Sequence, residues 1–447
     1  MKQRIIIKNF GPIKDVDLEI DDFMVFIGPQ ASGKSTIAKL IYFFKSVRDI
    51  TLKQILKQVS TYQKNVEKNA EWDFPTIELL TKDIPGLEEF LDEFDAKNFE
   101  LKFIFAEENS ISVGKPVSKK YTYNKPLLMS NGLLNGLQDI KKFIIENQRY
   151  LQKNTGLPLI ERLQAEEDRR VFNNELAVLL FNCFGFSQEI QFVTASRSGT
   201  SNGFQSESDI LTNKFVENIK HEIRFSSSKE SEFLKTKGKR TLLGEKTEND
   251  VLSIANSLKT KIIKGDYFFD EDSEKDVIIL SNGHRQSLES ASSGQQEAVW
   301  IVQNIFSKLL LKTNDYYTII EEPEAHLHPE AQRDIVSLIS LLANTGENQV
   351  LITTHSPYIL AAVNNLMFAH KVGQHKRQDV AERVNPNLWL DYNSVGAYYV
   401  GGEGNEGEIK RIMDDELHLI QNQYLDGVSQ LLNEEFDFLY ELDEDVS

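Results

Sequence analysis

Hydrophobic positions along this chain switch between a period of two and a period near 3.6, and each switch marks an element. Arg4–Ile7 and Val16–Ile20 read as strands about the turn Lys8-Asn9-Phe10-Gly11-Pro12, and Asp21-Asp22 leads into the unbroken apolar strand Met24–Ile27. A glycine-bounded loop follows, and helical spacing begins at Thr36-Ile37; Thr51–Ala70 reads as a further, polar helix. Phe99–Phe105, Ser110–Val113 and Lys120–Tyr123 are β-type runs that predict an antiparallel lobe beside the main sheet, and Leu137–Arg149 and Ile160–Phe184 are helical. Further on, Val277–Leu280, Tyr316–Ile320 and Gln349–Thr354 are strands, with the turn Gly283-His284-Arg285 and the helix Glu297–Leu310 between them. Strands interleaved with helices predict an α/β fold. No sustained heptad pattern and no repeat of solenoid or propeller spacing is present, so a long coiled-coil arm is not expected.

The chemistry starts in the loop after Met24–Ile27. Gly28-Pro29-Gln30-Ala31-Ser32-Gly33-Lys34-Ser35 fits the Walker A pattern at every fixed position. Small residues let successive N–H groups turn inward on a phosphate, Lys34 reaches the β- and γ-phosphates, and the Ser35 hydroxyl ligates Mg²⁺. Thr36 and Ile37 open a helix whose positive end faces the same phosphates. ATP and Mg²⁺ are the expected cofactors. A glycine turn that binds nothing would leave the flanking strand and helix as coincidence.

A second constellation lies near the other end. Tyr316-Tyr317-Thr318-Ile319-Ile320-Glu321-Glu322-Pro323 is a buried-strand pattern closing on two carboxylates, the form of a Walker B segment. Adjacent side chains on a strand project differently, so Glu321 is expected to support Mg²⁺ through its water shell and Glu322 to polarise the attacking water as general base. Alone, the pair would also fit a strand end entering an acidic loop. Ser292-Ser293-Gly294-Gln295-Gln296 precedes a helix, and small residues there leave N–H groups suited to a phosphate. Glu324-Ala325-His326-Leu327-His328-Pro329 follows the carboxylates, and the strand from Gln349 ends in Thr353-Thr354-His355-Ser356-Pro357. His326 and His328 have no Cys or third His beside them, so zinc is not expected.

In this order the motifs resemble the ABC-type ATPase head shared by SMC, RecF and OLD-like proteins. EEPEAHLHPEAQ and TTHSPYIL are most similar to the bacterial AAA-15/AAA-21 ATPases. The likeness rests on residues 1–45 and 277–365. It implies an ABC-type P-loop head, a mixed-sheet core with an antiparallel lobe, interrupted by a mainly helical insertion. It also implies a head-to-head dimer. Ser292, Ser293, Gly294 and Gln295 of one chain would close over the γ-phosphate held by Lys34 of the other, and His355 would contact that phosphate. The signature departs from its usual form, with Ala291 where Leu is common and Ser293 where the first Gly is common. Two further assignments follow from the likeness. Asn9-Phe10 would approach the adenine base, with core packing of Phe10 the alternative. Arg197, ending the Ala-x-Arg element after Gln191–Thr194, would serve the site or an interface, with a plain surface arginine the alternative.

On this reading residues 1–50 carry Walker A, 51–135 the antiparallel lobe and helices, and 136–275 a mainly helical insertion. Residues 276–370 carry the signature, Walker B, D-loop and H-loop, and 371–447 form a C-terminal extension with an acidic tail.

Composition narrows the setting. The single cysteine, Cys183, lies in the apolar run Leu179–Phe186, which excludes an internal disulfide and leads to the expectation of a buried thiol in a reducing cytoplasm. No signal-peptide h-region or membrane-length apolar run occurs, so a soluble protein without a membrane partner is expected. The net charge of −18 argues against a uniformly basic surface. Residues 214–264 nevertheless carry 12 Lys/Arg against 7 Asp/Glu, which reads either as a DNA-backbone contact or as a solvated helical face. The tail Glu434–Asp445 holds seven acids, either solvated or docking a basic partner.

The resemblance implies ATP hydrolysis coupled to closure of two heads. OLD-like relatives carry a C-terminal Toprim nuclease, and the roughly 90 residues after His355 are expected to be too few for one. The leading expectation is therefore an ATPase subunit of an anti-phage system, similar to those of Septu and PARIS, controlling a separate effector such as a nuclease. A RecF-like DNA-clamping ATPase is the alternative, and a transporter's nucleotide-binding subunit fits least because of the large insertion.

Overall fold

The computed structural model describes residues 2–64, 99–114, 127–147, 159–195, 246–270, 272–311, 315–401 and 407–421. The expected strand at Lys120–Tyr123, the loop Ser198–Ser208, Arg197, most of the basic segment and the acidic tail lie outside the described residues.

β1 (Arg4–Phe10) and β2 (Ile13–Glu19) form a hairpin, and β3 (Phe23–Ile27) runs from it into the Walker A loop and α1 (Lys34–Lys64). α1 is continuous across Tyr42–Thr51, where two helices were expected. β4 (Glu100–Ala106), β5 (Asn109–Gly114) and β6 (Leu127–Met129) extend the hairpin into one antiparallel sheet in the order β2-β1-β4-β5-β6. The opening hairpin thus belongs to the antiparallel lobe. α2 (Asn131–Glu146) and α3 (Leu159–Phe184) follow, then β7 (Glu189–Val193), α4 (Lys246–Ile263) and the small sheet of β8 (Gly265–Asp270), β9 (Lys275–Leu280) and β10 (Arg285–Ser287). The chain closes through α5 (Ser293–Leu311), β11 (Tyr316–Glu321), α6 (Pro329–Ala343), β12 (Gln349–Thr354), α7 (Pro357–Gly373), β13 (Val395–Val400) and β14 (Ile409–Arg411).

The main sheet has the order β14-β13-β3-β12-β11-β7, parallel except for β14. Every residue of β3 is buried, as in a parallel strand covered on both faces. The pleat sorts its side chains. Met24 and Phe26 join the core shared with α1 and the antiparallel lobe, while Phe23, Val25 and Ile27 join the core under α4 to α7. Tyr317 and Ile319 of β11 point to the first core and Ile320 to the second.

Three strands of this sheet, β7, β13 and β14, come from segments expected to lie outside the head. β7 interrupts the helical insertion and pairs with β11, and β13, from the expected C-terminal extension, pairs with β3. β13 is an apolar run of ordinary strand length, and β7 alternates polar and apolar residues. Nothing local distinguishes a peripheral strand from one that enters a central sheet, because the partner is chosen by long-range packing.

Cys183 is buried against α2, its Sγ 2.9 Å from where a Cβ on Gly136 would sit, and burial pushes its thiol up to about 12. Lys45 of α1 is enclosed between the sheets, with Nζ 4.2 Å from the ring centre of Tyr317 and 4.4 Å from that of Phe186, and it donates to the Gln3 side chain. Burial pushes Lys45 down to about 7, with Arg48 adding to the effect. Because the folded chain releases this proton more readily than the unfolded one, stability is lost as pH falls toward 7 and is regained toward 10.5. The wild-type chain is therefore expected to gain stability relative to Lys45→Met as pH rises from 7 to 9, by at most about 1.4 kcal/mol per unit. The flanking rings favour the charged form and reduce that slope. Denaturant titrations of both chains at three pH values measure it, and parallel curves would reject the assignment.

Candidate functional site

The Walker A loop joins the C-terminal end of β3 to α1, at the edge of a parallel sheet where α/β folds place ligands. It is tightly walled. A Cβ on Gly28 would lie 2.1 Å from the Val400 carbonyl oxygen of β13, and Gly401 packs against Ser32. On the other side, Gly33 (φ +103°) faces Pro12 and Ile13 of the β1–β2 turn. Lys34 is buried, and its Nζ donates to the Gly28 carbonyl at 2.8 Å and the Pro29 carbonyl at 2.6 Å. Burial lowers its pKa, and Glu322 and Glu324 act in the opposite sense, which places both carboxylates in the field of this ammonium. Pro29, Gln30, Ala31 and Ser35 are exposed, and Ser32 and Thr36 are half-buried.

β11 delivers the two carboxylates to the same edge. Glu321, the last strand residue, is buried, and its Oε2 accepts a hydrogen bond from the Ala195 N–H at 3.3 Å. Ala195 belongs to the Ala-x-Arg element just beyond β7, so that element touches the acidic strand end. Glu322 leaves the strand in the left-handed region (φ +43°), donates its N–H to the Thr353 carbonyl at 2.8 Å, and keeps its side chain 35% exposed. The kink turns the two side chains into different surroundings.

His355, at the end of β12, is 46% exposed, with Nδ1 3.4 Å from Glu324 Oε1 and 3.8 Å from Glu322 Oε1. Glu324 is 3% exposed. Its Oε1 accepts the Thr354 hydroxyl at 2.6 Å and the His355 N–H at 2.9 Å. Sequence reading assigned Glu324 no role. The recurrence of Glu at the first, second and fourth places of Glu-Glu-Pro-Glu was the available signal.

The serine-glycine turn opens α5. Ser292 Oγ accepts the Gln295 N–H at 3.3 Å while Gln295 Oε1 accepts the Ser292 N–H at 3.2 Å, a reciprocal capping box. Gln295 Nε2 also donates to the Ile263 carbonyl of α4 at 2.9 Å. Ser292 and Ser293 are exposed, whereas a Cβ on Gly294 would lie 2.6 Å from the His326 carbonyl oxygen. Only glycine fits at 294 against the loop that follows β11, and Ala291 before it is buried. His328 caps α6, its Nδ1 accepting the Glu330 N–H at 3.5 Å.

The turn at Asn9-Phe10 separates the two residues. Asn9 is exposed at φ +52°, but Phe10 is fully buried and packs edge-on against Phe99, so its ring belongs to the core and not to a base-binding face. In the described part of the basic segment, Lys259 is buried over the Phe306 ring and takes no part in a charged surface. No helix among the described residues is long and apolar enough to cross a membrane.

A nucleotide with Mg²⁺ fits these residues. The buried Thr353 Oγ1 and Glu324 Oε2 have no hydrogen-bond partner, as in a site built for polar ligand atoms or water. Ser35 supplies a hydroxyl and Glu321 a carboxylate, hard oxygen donors of the kind Mg²⁺ takes together with phosphate oxygens.

A model of the AAA ATPase domain family matches residues 1–360. The Septu protein PtuA of Bacillus thuringiensis is 28% identical over 145 residues, covering 30% of this chain and 34% of PtuA. The OLD nuclease of Thermus scotoductus is 42% identical over 66 residues, covering 15% of this chain and 12% of the nuclease. The chain therefore spans about a third or less of the curated relatives it matches. Among solved structures, an SMC head bound to the C-winged helix domain of ScpA aligns over 92% of this chain and 96% of its own, at 12% identity and a TM-score of 0.42. An SMC head domain from Thermotoga maritima covers 81% of this chain and 92% of its own, at 12% identity and a TM-score of 0.34.

Proposed function

This chain belongs to the AAA ATPase domain family, and we propose that it binds nucleotide through the site above and hydrolyses ATP with Mg²⁺ as a dimer of heads that controls a separate effector. The observation that carries the reading is the meeting of Lys34, Glu321, Glu322 and His355 at one edge of the main sheet, from β3, β11 and β12. Phosphoryl transfer to water needs positioning and charge stabilisation more than covalent chemistry. Lys34 holds the β- and γ-phosphate oxygens once it exchanges its loop carbonyls for them. Mg²⁺, when bound, neutralises charge on those oxygens, and Ser35 and Glu321 are the residues to hold it. Glu322 takes the proton from the attacking water, and His355 contacts the γ-phosphate.

Closure of two heads is supported by the exposure of Ser292 and Ser293 at the start of α5, whose N-terminal end is then available to a second chain. A role in anti-phage defence is supported by the partial likeness to Septu PtuA and the OLD nuclease. The test is light scattering of Glu322→Gln with and without ATP, followed by capture of products of neighbouring genes on each state. An ATP-dependent dimer that retains or releases one such product is the expected result. A monomer at every nucleotide concentration would overturn the closure, and an equally bound or absent neighbour would overturn the effector role.

A further inference from the structure

We propose that Glu324 is the positioning residue for His355, tying the D-loop to the H-loop so that the imidazole presents its Nδ1 inward and its Nε2 to the nucleotide. The proposal rests on the ATPase reading for its consequence but not for its geometry. Glu324 Oε1 gathers the Thr354 hydroxyl, the His355 N–H and, at 3.4 Å, the His355 Nδ1. Thr354 Oγ1 in turn accepts the Ser356 N–H at 3.0 Å, so one oxygen of Glu324 organises three consecutive residues of the H-loop. A second tie runs beside it. Gln332 of α6 accepts the Ser356 hydroxyl at 2.6 Å and donates to the Leu327 carbonyl of the D-loop at 2.9 Å. The two loops are therefore stitched at both ends, by Glu324 at its start and Gln332 just beyond it.

A carboxylate this buried carries a desolvation penalty unless its acceptors are used, and here one oxygen takes all the donors while Oε2 has none. Oε2 is left to the polar ligand atoms or water of the site, while Oε1 faces the H-loop. An Nδ1–H held toward a carboxylate fixes both the tautomer and the ring plane, the role a buried carboxylate plays wherever a histidine must present one chosen nitrogen. Glu322, 3.8 Å from the same nitrogen, is the weaker partner.

The test uses the full chain in four forms, wild type, Glu324→Gln, Glu324→Ala and Gln332→Ala, each also in a Glu322→Gln background so that the second carboxylate cannot substitute. The nitrogen-15 shifts of the His355 ring, assigned with His355→Asn, report the tautomer without requiring turnover. The Nδ1–H form is expected to predominate in wild type and in the Glu322→Gln background, and to be lost in both when Glu324 becomes Ala. Glu324→Gln, which keeps an acceptor oxygen but not the charge, is expected to lower kcat about tenfold or more with KM changed less than about threefold, the signature of lost transition-state interactions. Gln332→Ala, with Glu324 intact, keeps the wild-type tautomer. An unchanged tautomer in Glu324→Ala overturns the proposal. Wild-type kcat in both Glu324 variants, while Glu322→Gln abolishes turnover, also overturns it. If wild type itself hydrolyses no ATP, the ATPase reading fails and the tautomer alone decides this one.

Discussion

Glu322→Gln is expected to bind ATP as tightly as wild type and to hydrolyse it roughly a hundred- to ten-thousand-fold more slowly, the range a positioned general base contributes. The change is isosteric and leaves the structural contact of this position alone, because Glu322 holds the turn through its backbone N–H to the Thr353 carbonyl. Its side chain is only partly covered, so no buried charge is orphaned and the melting temperature is expected to move little. Binding depends on Lys34 and the loop amides, which the substitution does not touch. Phosphate release under saturating ATP, with equilibrium nucleotide binding in parallel, separates the two effects. Undiminished hydrolysis would mean that another carboxylate activates the water, and Glu321 and Glu324 are the neighbours to examine.

The second large effect is expected at Gly28. An alanine there would set its Cβ 2.1 Å from the Val400 carbonyl oxygen and 3.2 Å from Ser32 Oγ. The first contact is with backbone, and that backbone belongs to β13, which is hydrogen-bonded on one side to β3 and on the other to β14. Neither strand can move without loosening the sheet, so relief must come from the Walker A loop itself. Overpacking of this kind costs about 1–3 kcal/mol, occasionally more, and a value at or above the upper end of that range is expected for Gly28→Ala, together with loss of nucleotide binding. Gly283→Ala is the control. Gly283 sits in an exposed turn at φ +79° with nothing within 4 Å of the added methyl, so only backbone strain of about 1–2 kcal/mol is expected and binding is untouched. Urea unfolding of both variants, with ATP titrations, tests the contrast. Equal losses at the two positions would show that the Val400 contact is unimportant.

Legibility in the sequence followed the range of the interactions involved. The Walker A loop, the acidic strand end and the strand-end histidine were readable because each is a local device, a few residues whose spacing alone prescribes a turn, a charge or a cap. The strands carrying them were readable for the same reason, as apolar runs bounded by turn residues. Phe10 shows the limit, since the sequence left its ring open between a base-binding face and the core, and packing against Phe99, which lies far along the chain, places it in the core.

The amino-acid order by itself determined an α/β chain with a phosphate loop, two adjacent carboxylates, a histidine beyond them and a serine-glycine helix start. Only the tertiary structure decided that β13 walls the loop after β3, that β7 brings Ala195 to Glu321, and that Glu324 accepts the His355 backbone N–H and lies 3.4 Å from its Nδ1. Local spacing can specify a turn or an alternating strand, because those depend on neighbours in the chain. Which strand lies beside another, and which buried carboxylate meets which ring, depends on burying both faces of one sheet at once, and no short stretch of residues contains that information.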